Sequence, residues 1–210
     1  MPSTTLNQSK NKAKTATAIS GSEAVVRCLL EEGVDTLYGY PGGAIMPVYD
    51  ELYKYRDKIN HVLTRHEQGA THAAQGYARI SGKVGVAIAT SGPGATNFIT
   101  GIADAQIDST PMVCITGQVP EHLLGSDAFQ ETDIIGISTP VTKWNHQITS
   151  AAEIPEVMAM AFYIARSGRP GPVLIDITKN AQFETLDFEY QPCEQIRSYQ
   201  PVPKWDMEAV

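Results

Sequence analysis

Five short apolar runs recur along the chain and constrain its fold more than any other feature: Val34 to Tyr38, His61 to Leu63, Val84 to Ala89, Met112 to Thr116 and Val173 to Ile177. Their length suits buried strands better than helices. Helical segments separate them at roughly Ile45 to Tyr55, Glu67 to Ser81, Thr96 to Ile107 and Ala151 to Ser167. That alternation predicts an α/β fold, a parallel sheet with right-handed crossovers and helices on both faces. A capping box at Ser20-Gly21-Ser22-Glu23 opens one more helix, with Val25, Cys28 and Leu29 at helical spacing and Gly33 as its stop. Between Gln118 and Gln147 the pattern is less regular, with a short strand expected at Val141 to Trp144. So long a loop in a compact domain is often functional.

At 210 residues the chain has room for one sizeable core. We place that domain at residues 19–185, after a polar, disordered arm at 1–18 and before a Pro-containing linker at 186–210 that leads to a further domain. A net charge of -7 gives no footprint for nucleic acid. No stretch approaches the roughly 18 apolar residues that span a membrane. Cys28, Cys114 and Cys193 are odd in number and lack metal-type spacing, so they read as buried thiols of a reducing, cytoplasmic compartment. The histidines form no ligand pair on a helix face, and no protein-only metal site is expected.

Function should sit where the strands end. Tyr38-Gly39-Tyr40-Pro41-Gly42-Gly43-Ala44 follows the first apolar run and Thr90-Ser91-Gly92-Pro93-Gly94-Ala95 the third, while Glu67 follows the second. In open parallel sheets ligands bind at that edge, and glycine lets them approach the backbone. On the helix after Glu67, Ala70, Thr71, Ala74 and Ala78 make a smooth face that packs closely. Loss of solvent would favour the neutral acid, and the helix N-terminus the carboxylate, so two influences on Glu67 oppose each other. Ser91-Gly92-Pro93-Gly94 matches neither the dinucleotide fingerprint nor the P-loop, and an anion cradle and a tight turn explain it equally well. Within Asp127 to Asp133, Phe129 and Gln130 would give an apolar wall with one orienting amide. Arg169, in Ser167-Gly168-Arg169-Pro170-Gly171-Pro172, is either a surface charge or a fork for a phosphate or a flavin edge.

Taken together, Tyr40 to Ala44, Arg65 to Ala70, Ser91 to Asn97, Asp127 to Glu131 and Gly168 to Pro172 resemble the large catalytic subunits of the acetohydroxyacid synthase (acetolactate synthase) family. The resemblance covers residues from about 20 to about 185. It implies a pyrimidine-binding domain of a thiamine-diphosphate enzyme, followed by a central domain that helps hold FAD and a third that binds the diphosphate through Mg2+. The Gly-Asp-Gly motif of that third domain is absent from the sequence, so the metal would be held elsewhere in the protein. By the same resemblance Glu67 hydrogen-bonds the cofactor's aminopyrimidine, Gly43 and Gln130 lie beside the reacting centre, and Arg169 contacts FAD. Ala44, Pro120, Phe129 and Lys179 would line the substrate channel. The implied reaction is decarboxylative joining of pyruvate to a second 2-keto acid, giving acetolactate or, with 2-ketobutyrate, acetohydroxybutyrate, in branched-chain amino-acid synthesis. A homodimer or homotetramer and a regulatory small subunit are implied partners, and the fragment alone is expected to be inactive. Alternatives are a pyruvate oxidase, a sulfoacetaldehyde acetyltransferase or a 2-keto-acid decarboxylase, which share the glycine and glutamate motifs, or a non-catalytic assembly module.

Overall fold

The structure, a computed structural model, describes residues 18–201. Six parallel strands form the sheet in the order β3-β2-β4-β5-β7-β6. They are β2 (Thr36–Gly39), β3 (Asn60–Leu63), β4 (Gly85–Ala89), β5 (Met112–Gln118), β6 (Trp144–Ile148) and β7 (Pro172–Thr178). Helices α1 (Gly21–Glu31), α2 (Met46–Lys54), α7 (Ile154–Arg166) and α8 (Lys179–Phe183) cover one face, where Val113, Ile115, Val173 and Ile175 meet Leu29, Val48, Phe162 and Ala181. On the other face α3 (Glu67–Ser81), α4 (Pro93–Thr96), α5 (Ile99–Ile107) and α6 (Ile134–Ser138) close over Ala87, Ala89, Cys114 and Leu174. The central strands β4, β5 and β7 are buried along their whole length, as expected for a parallel sheet covered on both faces.

Several expectations change in detail. The run at His61 to Leu63 is an edge strand paired only with β2, so Val62 and Leu63 stay exposed instead of buried. The helix expected from Thr96 begins at Pro93, whose fixed φ suits a first turn, and it resumes as α5 after Asn97 and Phe98. Pro140 draws Thr139–Val141 into a 3-10 turn, and the strand expected at Val141 to Trp144 runs from Trp144 to Ile148. Only half of the capping box forms. Ser20 Oγ accepts from the Glu23 N–H at 3.2 Å, but the Glu23 carboxylate turns to Arg27 at 2.6 Å.

Two short strands escaped the sequence pattern: β1 (Ala18–Ser20) and β8 (Thr185–Asp187) pair antiparallel and tie the ends of the domain together. Of the expected arm, only Ala18 lies within the described residues. Of the expected linker, residues 186–201 are described, and Phe188, Tyr190, Ile196 and Tyr199 pack against the core. Cys28 and Cys114 are buried and their thiols are pushed up by desolvation, whereas Cys193 is only half-buried, on that outer segment. Among the described residues no helix is long and apolar enough to cross a membrane.

Candidate active site

The carboxyl ends of β2, β3 and β4 meet at one rim, and the loops leaving them interlock. Thr90, just past β4, accepts the Ala44 N–H on its Oγ1 at 3.2 Å, joining the loop after β2 to the loop after β4. Glu67 opens α3, with His66 as its cap: the His66 Nδ1 accepts the Gln68 N–H at 3.1 Å. The Glu67 side chain reaches across to the loop after β4, where the Asn97 amide donates to Oε2 at 2.9 Å. Its other oxygen, Oε1, accepts no hydrogen bond among the described residues.

Gly94 explains the openness at that oxygen. A Cβ there would stand 2.7 Å from Thr90 Cγ2 and 3.4 Å from Glu67 Oε1, so any side chain would crowd Thr90 and cover the carboxylate. Glu67 is only partly buried, while Ala70, Thr71, Ala74 and Ala78 behind it are buried, the close-packed face expected of α3. Tyr49, beneath the rim, donates to the Ile88 carbonyl at 3.4 Å. Its hydroxyl is pushed well above the usual tyrosine range by burial and, to a smaller degree, by the Glu67 charge.

Gly43 is exposed at the tip of its loop, with open space where a side chain would be. Ala44 is fixed more firmly, its carbonyl accepting from Gln182 Nε2 at 2.8 Å. The irregular loop before α6 arrives at the same rim, because a Cβ on Gly92 would stand 2.6 Å from the Gln130 carbonyl. Gly92 itself has φ 55 and ψ -120, a backbone that glycine adopts readily and side-chain-bearing residues rarely do, as a tight turn at this position requires. Asp127 and Gln130 also take positive φ, at 55 and 59. For non-glycine residues this costs on the order of 1–3 kcal/mol each, and such conformations cluster at functional sites. The Glu131 carboxylate accepts the N–H groups of Gly125, Ser126 and Ala128, which hold it below the usual carboxylate range. Phe129, 88% exposed, and Gln130 project from this loop.

Pro120 and Lys179 lie at the carboxyl ends of β5 and β7, joined by a hydrogen bond from the Glu121 N–H to Asn180 Oδ1 at 2.9 Å. The structure thus brings Glu67, Gly43, Ala44, Pro120, Phe129, Gln130 and Lys179 to the carboxyl edge of the sheet. Arg169 is not among them. It stands before β7, at the opposite edge, where it donates to Ser109 Oγ at 2.8 Å and to the Ile107 carbonyl at 3.1 Å. Sequence reasoning gave no role to Asn97 or Thr90, although both fall within motifs it singled out. It also passed over Asp176, whose signal was an acid inside an otherwise apolar strand.

Residues 19–137 match the family described as thiamine pyrophosphate enzyme, N-terminal TPP binding domain. The chain is 55% identical over 194 residues to the acetolactate synthase large subunit of Corynebacterium glutamicum, covering 92% of this chain and 31% of that one. It is 54% identical over 169 residues to the acetolactate synthase large subunit of Lactococcus lactis subsp. lactis, covering 80% and 29%. Against the probable acetolactate synthase large subunit of Methanococcus aeolicus the identity is 56% over 174 residues, covering 83% and 29%. The chain thus spans about three tenths of the length of these relatives. With its parallel sheet and its glutamate beside a glycine-lined rim, it belongs to the thiamine pyrophosphate enzyme family as an N-terminal TPP-binding domain, similar to those of acetolactate synthase large subunits.

Proposed function

We propose that this domain presents Glu67 to thiamine diphosphate within a longer acetolactate synthase chain. That enzyme would join pyruvate to a second 2-keto acid, pyruvate or 2-ketobutyrate, with release of carbon dioxide, as a step toward branched-chain amino acids. One observation carries the reading: a helix-start carboxylate is held through Oε2 by Asn97, while Oε1 accepts no hydrogen bond among the described residues and faces Gly94. That arrangement fits an aminopyrimidine, whose ring nitrogen can share a proton with Oε1. When bound, thiamine diphosphate supplies the carbon that adds to the keto group and accepts the electrons released by decarboxylation. Glu67 holds the proton between its Oε1 and the ring, and Asn97 keeps that oxygen turned toward it.

Around this centre Gly43 leaves the backbone approachable, Ala44 and Phe129 wall the channel, and Gln130 orients the second keto acid with its amide. Pro120 and Lys179 flank the entrance, where the Lys179 ammonium favours a carboxylate substrate. Arg169 would meet FAD at the other edge of the sheet, and residues beyond 185 would lead toward the domain that shares that flavin. The Mg2+ and diphosphate ligands lie outside this sequence in our reading, supplied by the diphosphate domain of a second subunit, so the active unit is a homodimer or homotetramer. A regulatory small subunit and a cytoplasmic location complete the proposal.

The test is acetolactate formation from pyruvate by the full-length protein with thiamine diphosphate, Mg2+ and FAD, beside its Glu67→Gln variant. Acetolactate from the parent, with turnover lower by about a hundredfold or more in the variant, is expected. Free aldehyde or reduced flavin in place of acetolactate would make the protein a decarboxylase or an oxidase.

A further inference from the structure

The loop that presents Phe129 and Gln130 packs its Gln130 backbone against Gly92, but few hydrogen bonds tie it to the sheet. Its internal bonds run to Glu131 and Leu123. Among the described residues, the one hydrogen bond between 125–132 and the sheet is donated by Gln118 Nε2 to the Thr132 carbonyl, at 3.0 Å. Gln118 is the last residue of β5 and is 1% exposed.

The orientation of that amide is settled by its neighbours. Gln118 Oε1 accepts the Val119 N–H at 2.9 Å, so Nε2 must face the other way, toward Thr132. There it also donates to Asp176 Oδ2 at 3.0 Å. Asp176 is fully buried in β7 and takes two further donors, Thr116 Oγ1 at 2.7 Å and Gln147 Nε2 at 2.9 Å. Thr116 and Gln147 lie directly opposite Asp176 on the neighbouring strands, so three strands converge on one carboxylate. A carboxylate only accepts hydrogen bonds, so it selects the donor ends of both glutamines. Buried polar networks rigidify a structure when every member is satisfied. This one meets the loop only at Thr132.

We infer that Gln118, anchored by Asp176, is a positioning residue that fixes the 125–132 loop and thereby sets Phe129 and Gln130 at the rim. This inference rests on the functional reading above for what Gln130 contacts, but the loop's attachment does not depend on it.

The experiment uses the full-length protein, with amide hydrogen exchange and steady-state kinetics on Gln118→Met, which keeps the volume and removes all three hydrogen bonds of the amide. Exchange should become about tenfold faster or more within 125–132 while β4, β5 and β7 keep the protection of the parent. In acetolactate formation kcat should fall about tenfold, the scale of a displaced orienting group, with KM for pyruvate changed less than kcat. Asp176→Val should loosen the same loop. Should that variant fail to fold, Gln118→Met still decides the matter. Unchanged loop exchange in Gln118→Met, acceleration spread through the central strands, or local loosening with unaltered kcat would each overturn the inference. A parent that makes no acetolactate removes the functional reading instead, and the exchange measurement still tests the loop's attachment.

Discussion

Two carboxylates, one inside the sheet and one at its carboxyl edge, are treated in opposite ways. Asp176 is buried and takes three side-chain donors from the strands on either side of it. Glu67 is partly exposed, takes one donor from Asn97, and keeps its second oxygen toward a glycine. A satisfied, buried carboxylate fixes what surrounds it, whereas a half-satisfied one at a rim is available to a ligand. The difference separates the framework from the candidate site within one domain.

If that contrast is right, substitutions at the two sites should fail in different currencies. The largest effect on folding should come from Asp176→Val, which leaves Thr116 and Gln147 without this acceptor and Gln118 with only the Thr132 carbonyl. Urea unfolding should show a loss of about 3 kcal/mol, the scale of leaving buried donors without a partner. A loss under about 1 kcal/mol would erase the distinction.

The acidity of Asp176 gives the next effect. Burial pushes its carboxyl up to about 6, against the three hydrogen bonds, and the neighbouring Asp133 charge adds to the rise. The folded state therefore binds this proton more tightly than the unfolded chain, and the parent gains stability as pH falls through about 6 toward 4. Asp176→Asn lacks that gain. Relative to the parent, its stability should rise by up to about 3 kcal/mol between pH 4 and pH 7 and then level off. A pH-independent difference would contradict the buried anion.

Glu67→Gln should invert the pattern, lowering turnover by about a hundredfold or more while shifting unfolding by less than about 1 kcal/mol. Asn97→Ala should be milder, roughly tenfold in kcat, because Glu67 loses its orienting donor and keeps its acid. Turnover equal to the parent would show that Asn97 does not aim the carboxylate.

Much of this was legible in the residues. The apolar runs gave the central strands because strands buried on both faces read as continuous hydrophobic stretches. Glu67 was marked by its place between a strand and an alanine-rich helix, and α3 spans the expected Glu67–Ser81. The edge was harder to read. β6 is Trp-Asn-His-Gln-Ile, and its polar side chains are spent on α6, Glu153 and Asp176, so no apolar signal announces it. β1 and β8 are three residues each and exist only through pairing across the whole domain. The same holds for the site. Spacing reveals that Glu67 and the glycine loops share an edge, but only folding brings Asn97 to Glu67, thirty positions away, and Gln118 to both Asp176 and Thr132. Arg169 shows the converse, since a motif with a plausible ligand lies at the far edge of the sheet.

The most direct measurement is exchange of the cofactor's thiazolium C2 proton for deuterium in the full-length protein, compared with Glu67→Gln loaded with the same amount of thiamine diphosphate. We predict fast exchange in the parent and a slowing of about a hundredfold or more in the variant. Equal exchange in the two would show that Glu67 takes no part in moving that proton.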